Sequence, residues 1–328
     1  MKDIGLVGAP YAGKSTLFTA LTRAGAAGGR SNQAVVPVPD PRLGVLGRLE
    51  GSARIVAARV RFVDVPGGTS AQGLAALREM DALCLVLRAF GEDADPAAEL
   101  SSVATDLVLA DLVNVESTLA GAQKRAKGRA PSEVAETIRA LERALEALSD
   151  ETLLRDASLE EEELRELRSL APLTLKPWVV VANMQEGGSL PAGLPAGTLG
   201  ISAALEAEKA SMPRGEADSL LEAFGVVEPG LPRVVAAGYR ALDLITFLTT
   251  GTDETRAWEV RNGASAPEAA GVIHSDLQRG FIRAEVVSYD DLIAAGGWDA
   301  ARAKGRLRVE GKEYVVREGD VLHVRFAV

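Results

Sequence analysis

The stretch GAPYAGKST has the residue types and spacing of a phosphate-binding loop: Gly8, four residues, then Gly13, Lys14 and Ser15. Glycines let the backbone curl so that several N–H groups point at phosphate oxygens, and the following helix N-terminus adds partial positive charge. In this pattern the lysine bridges the β- and γ-phosphates, the serine hydroxyl binds Mg²⁺, and Thr16 lies on the α-phosphate side. The other predicted phosphate contacts are Ala9, Pro10, Tyr11 and Ala12. The flanking strand and helix patterns argue against a glycine-rich turn that matches by chance.

Such a site also needs an acidic group near Mg²⁺, and RFVDVPGG supplies Asp64 at the end of a predicted strand. This aspartate stands in an Asp-x-x-Gly pattern with Gly67. The carboxylate would hold a Mg²⁺-bound water, and the Gly67 N–H would meet the γ-phosphate. The alternative is an aspartate that only begins a turn. The first interpretation makes Lys14 and Gly67 the candidate catalytic groups.

A run of β-branched residues in VVVANMQEGG stops at Asn183 and continues as Asn-x-x-acid. The guanine-specific form is Asn-Lys-x-Asp, whose aspartate accepts from guanine N1–H and the 2-amino group. Here Glu186 has a longer stem and Met184 replaces the lysine, while Asn183 keeps an amide donor and acceptor for a base edge. These residues predict a purine site with weakened guanine selectivity. Ser202 and Ala203 in ISAAL lie where a loop would close over the base, although a strand end followed by a helix start is an equal alternative.

Five short apolar runs alternate with helical segments, which predicts an α/β fold with a parallel sheet. They are Ile4–Val7, Val60–Val65, Ala82–Leu87, Val179–Ala182 and Thr198–Ser202. From Leu244 onward, short strands such as GFIRAEVVSY and DVLHVRFAV predict a small mixed α/β domain with an antiparallel component. The 328 residues suggest two or three domains.

In the middle of the chain, apolar residues repeat with heptad spacing in two segments, which predicts an antiparallel helical hairpin. The two sets are Val108, Leu112, Val115, Leu119 and Ala122, then Val134, Ile138, Leu141, Leu145 and Leu148. Pro131 and Ser132 suit the start of the second helix. A further helix is predicted from Ser158, with Glu161 completing a capping box. A two-helix excursion packed on the core and a projecting arm that contacts a partner are equally open.

Composition bounds the class of protein. The chain is 47% hydrophobic with a net charge of −10, which argues against a protein coated in nucleic acid, and no DNA partner is expected. The single cysteine, Cys84, and the lack of a cleavable signal or of ~20 consecutive apolar residues indicate a soluble cytoplasmic protein without a membrane partner.

Some basic residues of the last domain either contact RNA backbone or form only a solvated surface: Arg256, Arg279, Arg283, Lys312 and Arg325. Core packing is favoured over partner binding for Trp178, Trp258 and Trp298.

Several stretches resemble the Obg-like ATPase (YchF) family of P-loop proteins over nearly the whole chain. They are GKSTLFTALT, VVPVPDPRL, LVLADLVNVE, ANMQE, TRAWEVRNGASAPEAAGVIHSDLQRGFIRAEVVSYDDL and EGKEYVVREGDVLHVRF. The resemblance implies a Ras-like P-loop NTPase domain with a helical coiled-coil insertion and a C-terminal ubiquitin-like β-grasp (TGS) domain. We expect the NTPase domain at residues 1–105 and 172–240, the insertion at 106–171 and the TGS-like domain at 244–328. The resemblance also implies ATP preferred over GTP, and ribosome or ribosomal RNA contacts through the TGS domain and helical arm.

Two regions depart from the family pattern. Family members carry a longer switch I with a threonine that binds Mg²⁺, whereas residues 23–68 contain no threonine and Ser31 is the nearest substitute. After Asp-x-x-Gly the family has a hydrophobic residue and here it is Gly68, while Leu85 stands where the family has a histidine. The only histidines, His274 and His323, lie in the C-terminal domain. We therefore expect an intact nucleotide-binding half of the site and a reduced hydrolytic half.

Two functions fit these residues. The first is a Mg²⁺-dependent ATPase that binds GTP more weakly and hydrolyses slowly, or with ribosomes, as a translation-associated switch. The second is a degenerate, non-hydrolysing paralogue, a nucleotide-stabilised module that binds RNA or the ribosome. The short switches favour the second. The intact GKST favours the first, because a site with no use for nucleotide needs neither that lysine nor that serine. A small-molecule kinase would need a lid with converging arginines, which the sequence does not show.

Overall fold

A computed structural model describes residues 1–25, 32–126, 134–213, 216–217, 224 and 229–327. The chain divides into two compact units. Unit one comprises Met1–Val36 and Arg61–Val234, and unit two comprises Pro37–Val60 and Val235–Val328. The predictions for Ser31, Pro131 and Ser132 lie outside the described residues. None of the helices in the described ranges combines the length and the hydropathy that a membrane span needs.

Unit one is built on a six-stranded sheet. Its strands are β1 (Asp3–Val7), β2 (Gln33–Pro37), β4 (Arg59–Asp64), β5 (Ala82–Ala89), β6 (Trp178–Met184) and β7 (Leu199–Ile201). Their order is β2-β4-β1-β5-β6-β7, with β1 parallel to β4 and β5, and β6 parallel to β5 and β7. The run Ala82–Leu87 is fully buried, as expected for a strand covered on both faces. The predicted parallel sheet is confirmed, whereas β2 was missed.

The helices of unit one follow the strands as crossovers and as an insertion. They are α1 (Lys14–Ala24), α3 (Ala71–Arg78), α4 (Pro96–Ala126), α5 (Ala135–Ser149), α6 (Glu161–Arg168) and α7 (Ala203–Lys209), with a 3₁₀ turn at Leu173–Leu175. Helix α8 spans Gly230–Ala241.

The insertion is made by α4, α5 and α6, which pack around one apolar cluster. Val115, Leu119, Leu141 and Leu148 are buried in it, which confirms the heptad prediction. The predicted helix start at Ser158 is wrong. Helix α6 begins at Glu161 after the N-cap Glu160, and Glu163, rather than Glu161, closes the capping box by accepting the Glu160 N–H at 2.9 Å. The local sequence allows a capping box at either place, from Ser158 to Glu161 or from Glu160 to Glu163. Glu163 is itself buried, and that burial depends on contacts distant in sequence.

A buried carboxylate holds the base of this insertion. Asp111 of α4 is fully buried and accepts from the Arg78 guanidinium at 2.7 Å, from the N–H groups of Leu173 and Thr174 at 3.0 and 2.8 Å, and from the Thr174 hydroxyl at 2.8 Å. Arg78 also donates to the carbonyl of Ala110 at 2.9 Å. The last residue of α3 is therefore bonded to α4 and to the segment that returns to β6.

Unit two contains a second six-stranded sheet. Its strands are β3 (Arg54–Val56), β8 (Leu244–Thr249), β9 (Glu254–Arg261), β10 (Phe281–Ser288), β11 (Arg308–Glu310) and β12 (Asp320–Phe326), in the order β11-β10-β12-β8-β9-β3. Strands β8–β9, β10–β11 and β10–β12 pair antiparallel, while β12–β8 and β3–β9 are parallel. The expected mixed domain with antiparallel pairs is confirmed, and residues 37–60 group with it.

The helices of unit two are α2 (Pro41–Glu50), α9 (Ala266–Ile273), α10 (Ser275–Arg279), α11 (Tyr289–Ala295) and α12 (Trp298–Ala303). Local sequence explains α2, because Asp40 caps it by accepting the Arg42 N–H at 3.0 Å, Pro41 occupies its first position, and Gly51 ends it with a φ of 65°. Phe247, Val286 and Leu322 lie in the apolar cluster between sheet and helices.

Candidate functional site

The predicted phosphate loop links the end of β1 to the start of α1. Gly13 precedes the helix with a φ of 93°, a conformation that favours glycine. The first helical bond runs from the Leu17 N–H to the Gly13 carbonyl at 2.9 Å, so the preceding N–H groups, including those of Ser15 and Thr16, have no acceptor inside the helix. Donors of this kind at a helix N-terminus form an anion-binding site.

Both glycines of the loop are required by close contacts. A Cβ on Gly8 would lie 2.2 Å from the Val86 carbonyl oxygen of β5, and a Cβ on Gly13 would lie 2.0 Å from Asn183 Nδ2. Neither neighbour is the flexible end of a long side chain. The loop is therefore packed directly against β5 and β6.

Lys14 lies across the mouth of the loop. Its Nζ donates to the carbonyl oxygens of Gly8 at 2.9 Å and Ala9 at 2.7 Å. Burial lowers the pKa of Lys14, and the negative charges of Asp64 and Glu99 act in the opposite direction. The ammonium group is thus held among acceptors at the phosphate loop.

The Asp-x-x-Gly segment follows β4 and leads into α3. Asp64 ends the strand, and the Ser70 N–H donates to the Gly67 carbonyl at 2.9 Å before Ser70 caps α3. Gly67 and Gly68 have φ values of 87° and 52°. The Cβ position of Gly68 lies only 3.7 Å from the Gly8 carbonyl oxygen. This segment therefore runs beside the phosphate loop.

Asn183 joins the phosphate loop to the ISAAL segment. Its Nδ2 donates to the Ala12 carbonyl at 3.0 Å, and its Oδ1 accepts the Ala203 N–H at 2.9 Å, with the side chain buried. The sequence suggested an amide aimed at a base edge. In the structure the same amide fixes two loops, and one Nδ2 proton remains beyond the bond to Ala12.

Glu186 and Met184 are held by neighbours from the next strand and helix. The Ser202 hydroxyl donates to Glu186 Oε1 at 3.1 Å and accepts the Leu205 N–H at 3.2 Å, so Ser202 both caps α7 and orients Glu186. The thioether end of Met184 packs at Gly200, where a Cβ would lie 2.6 Å from its terminal carbon. The strand end and helix start expected at ISAAL are present, and the Ser202 hydroxyl also contacts the acidic residue of the motif.

A cavity of about 730 Å³ lies over these residues. Its lining contains eight of the predicted site residues: Tyr11, Gly13, Lys14, Ser15, Thr16, Asn183, Met184 and Glu186. Among the described residues, the other predicted ones do not line it: Ala9, Pro10, Ala12, Asp64, Gly67, Ser202 and Ala203. Of those seven, Ala9, Ala12, Ser202 and Ala203 bond to residues that do line the cavity.

Sequence reasoning missed Phe90, Gly91, Gln185 and Ala204, which complete the lining. Phe90 and Gly91 follow β5 directly, and in parallel α/β sheets ligands bind at the carboxyl ends of the strands. That rule could have found them. Glu99 of α4 fixes this wall, because its Oε2 accepts the Arg88 N–H at 2.8 Å.

The two positions where the sequence departs from the family pattern after Asp-x-x-Gly and in β5, Gly68 and Leu85, offer no polar side chain. Leu85 is fully buried in β5, and Gly68 has no side chain to present. No group of three or more histidine, cysteine, aspartate or glutamate side chains that could hold a metal occurs in the part of the chain that the structure describes. The donor pair Ser15 and Asp64 suits Mg²⁺, which is typically held by one or two protein oxygens together with phosphate oxygens and waters.

A parallel sheet with this loop after its first strand, an Asp-x-x-Gly segment that starts at the last residue of β4 and an Asn-x-x-Glu segment that starts at the end of β6 defines a P-loop NTPase of the GTPase class. The family profile described as "50S ribosome-binding GTPase" matches residues 3–184. The profile YchF-GTPase_C, described as "Protein of unknown function (DUF933)", matches residues 244–327.

Relatives that match over nearly their whole length identify the family within this class. Proteins called "Ribosome-binding ATPase YchF" from Haemophilus influenzae and Bacillus subtilis are 39% and 37% identical, each over 99% of both chains. The solved structure of the YchF GTPase of Schizosaccharomyces pombe is 30% identical with a TM-score of 0.91, over 99% of this chain and 97% of that one. The chain belongs to the YchF family. The alignments with the two bacterial relatives span 359 and 362 positions, more than the 328 residues here, so those relatives contain residues that this chain lacks.

Proposed function

We propose that this chain is a Mg²⁺-dependent ATPase that hydrolyses ATP slowly and associates with the ribosome. The observation that carries the proposal is the glycine-packed loop with Lys14 across its mouth, beside a cavity of about 730 Å³ that Asn183 and Glu186 line. The names of the bacterial relatives, which call them ribosome-binding ATPases, support the nucleotide and the partner.

The chain's own groups divide the work of holding a nucleotide. Lys14 would bind phosphate oxygens in place of the carbonyl oxygens of Gly8 and Ala9 that it contacts here. The first-turn N–H groups of α1 would bind phosphate oxygens as well. Ser15 would bind Mg²⁺ directly and Asp64 through water. Bound Mg²⁺ would supply positive charge at the phosphates, which favours transfer of the terminal phosphoryl group.

Adenine is the better fit to the base-facing residues. Guanine recognition uses a carboxylate that accepts from N1–H and the 2-amino group, whereas Glu186 is already engaged by the Ser202 hydroxyl. Met184 and Phe90 offer apolar and aromatic surfaces, which cover a purine without choosing between the two bases. We therefore propose ATP as the preferred nucleotide and GTP as a weaker ligand.

Slow turnover follows from the same site. Gly68 has no side chain and Leu85 is a fully buried apolar residue, so neither offers a water-orienting or charge-balancing group. Loss of such a group costs orders of magnitude in rate. This observation favours the second candidate, a non-hydrolysing paralogue that uses the nucleotide to stabilise an interaction module.

The domain division stays a proposal: 1–105 with 172–240 for the NTPase domain, 106–171 for a coiled-coil arm and 244–328 for a TGS-like β-grasp domain. Within the first range, residues 37–60 group with unit two. We propose the arm and the TGS-like domain as the parts that contact the ribosome. That partner would place the protein in the cytoplasm. The names of the relatives support this proposal.

Calorimetry with Mg-ATP and Mg-GTP on wild type and Lys14→Ala tests the site. The variant should lose binding of both nucleotides, because the charge at the phosphates is removed. The exposed Lys124→Ala, on α4, is the matched control and should bind as wild type does. Equal affinity in Lys14→Ala and wild type would overturn the site assignment.

Single-turnover hydrolysis, with and without ribosomes, separates the two candidate functions. Slow hydrolysis that ribosomes accelerate supports the ATPase. In that case the ribosome would supply the polar group that Gly68 and Leu85 do not offer. Tight ATP binding with no hydrolysis in either condition supports the nucleotide-stabilised module.

A further inference from the structure

The sheet of unit two has a second face, opposite the apolar cluster that contains Phe247, Val286 and Leu322. Side chains alternate along a strand, and Val286 of β10 and Leu322 of β12 point into the apolar cluster. The opposite face therefore carries the side chains of Arg283, Glu285, His323 and Arg325. The register pairs Arg283 with Arg325 and Glu285 with His323 across the two strands.

One end of this face is covered and the other is open. The next pair in the register, Val287 and Val321, is fully buried. His323 and Arg325 are about half exposed, with side-chain exposures of 54% and 47%. Trp298 and Arg302 of α12 border the open end. We call these residues the arginine face: Arg283, Glu285, Trp298, Arg302, His323 and Arg325.

Positive charge exceeds negative charge on the arginine face. The mostly buried Glu285 carboxylate lies 3.2 Å from Arg325, 3.5 Å from Arg302 and 3.7 Å from His323 Nδ1. Asp299, at the rim, lies 3.5 Å from Arg302. Three guanidinium groups thus face two carboxylates, on a chain whose net charge is −10.

The least compensated charge is that of Arg283. Within the described residues it has no ion-pair partner, and it stands directly opposite Arg325. Like charges directly opposite in an antiparallel pair destabilise a sheet. An anion that bridged the two guanidinium groups would remove that repulsion, and phosphate geometry matches the guanidinium fork.

Aromatic rings stand beside the guanidinium groups. The Trp298 ring meets the His323 ring edge-on, with centroids 6.1 Å apart. Rings beside basic groups on an open strand face are the usual arrangement for single-stranded nucleic acid, whose unstacked bases pack on aromatic side chains. An acidic peptide would satisfy the charges and leave the rings without a role.

We propose that the arginine face binds single-stranded RNA, with Arg283 and Arg325 on phosphodiester oxygens and the Trp298–His323 pair against an exposed base. The proposal deepens the proposed ribosome association and rests on it for the source of the RNA. It does not depend on the nucleotide site in unit one.

Fluorescence anisotropy with a labelled single-stranded RNA and the full chain tests the surface over a range of salt concentrations. The variant Arg283→Gln with Arg325→Gln should bind at least about tenfold more weakly, and its log–log salt slope should fall by about 0.7 for each lost phosphate contact. The control Arg279→Gln removes an exposed arginine of the same unit that is paired with Asp276, and should bind as wild type does.

Tryptophan emission gives a second readout. RNA should quench it in the wild-type chain, and Trp298→Phe should remove most of the quenching, because stacking on that ring causes it. Should the double variant fail to fold by circular dichroism, Arg283→Gln alone serves, since Arg283 has no ion pair to lose. Unchanged affinity and salt slope in the folded arginine variant would overturn the proposal.

Competitors identify the class of partner. An RNA duplex of the same sequence should compete poorly, because its bases are stacked. Equal competition by a polyglutamate peptide would overturn the RNA assignment and point to an acidic protein. ATP binding is measured in the same samples, so loss of RNA binding with intact ATP binding isolates the arginine face from the proposed ATPase site.

Discussion

Replacing Asp111 by alanine should detach the base of the helical insertion from the rest of unit one. The substitution removes the acceptor of four hydrogen bonds, from Arg78, Leu173 and Thr174. Arg78 would remain mostly buried, with its side chain 19% exposed and its carboxylate gone.

The magnitude follows from that geometry. Removing one partner of a buried ion pair costs about 3–5 kcal/mol, because the other charge is left without compensation. Arg78 keeps its bonds to the carbonyls of Ala110 and Ala171 at 2.9 and 3.2 Å. We therefore expect the lower end, about 3 kcal/mol of local stability.

Hydrogen exchange of a peptide covering residues 172–176 is the assay, because the Leu173 and Thr174 amides donate directly to Asp111. A loss of about 3 kcal/mol corresponds to exchange about a hundredfold faster. Glu116→Ala, at an exposed position of the same helix, is the matched control and should change stability by less than about 0.5 kcal/mol. If Asp111→Ala speeds exchange by less than about tenfold, the carboxylate does not anchor the insertion and the reasoning fails.

Three further predictions concern unit one. Gly13→Ala should destabilise the protein by about 1–3 kcal/mol and weaken nucleotide binding, because its Cβ would lie 2.0 Å from Asn183 Nδ2 at a φ of 93°. Urea unfolding measures the stability and calorimetry the nucleotide affinity. Wild-type values of both would contradict the close packing. Glu186→Asp with Met184→Lys should raise the affinity for GTP relative to ATP in calorimetric titrations, and an unchanged ratio would mean that base choice lies elsewhere. Burial raises the pKa of the Cys84 thiol to about 12 from an ordinary value of 9.0, so the folded protein disfavours the thiolate and the free energy of unfolding should fall above about pH 9, by at most about 1.4 kcal/mol per pH unit. Urea titrations of wild type and Cys84→Ala check this, and the same pH slope in both would refute it.

The site could be predicted from the sequence wherever a short spacing defines the chemistry. GxxxxGKS, Asp-x-x-Gly and Asn-x-x-Glu each span a few residues, and strand ends bring them to one edge of a parallel sheet. Eight of the predicted residues do line one cavity. Phe90 was missed because it carries no such spacing, although its place after β5 was a usable sign.

The sequence by itself determined the local patterns, which are the phosphate loop, the buried parallel strands and the heptads of α4 and α5. Tertiary structure alone decided the partners that lie far apart along the chain. Asp111 meets Arg78 across 33 residues, and Asn183 meets Ala12 across 171. The physical reason is that a spacing rule reports which face a residue occupies, whereas a hydrogen bond between distant segments depends on how two elements pack. The same packing set the start of α6 at Glu161 and gave Asn183 its place between two loops.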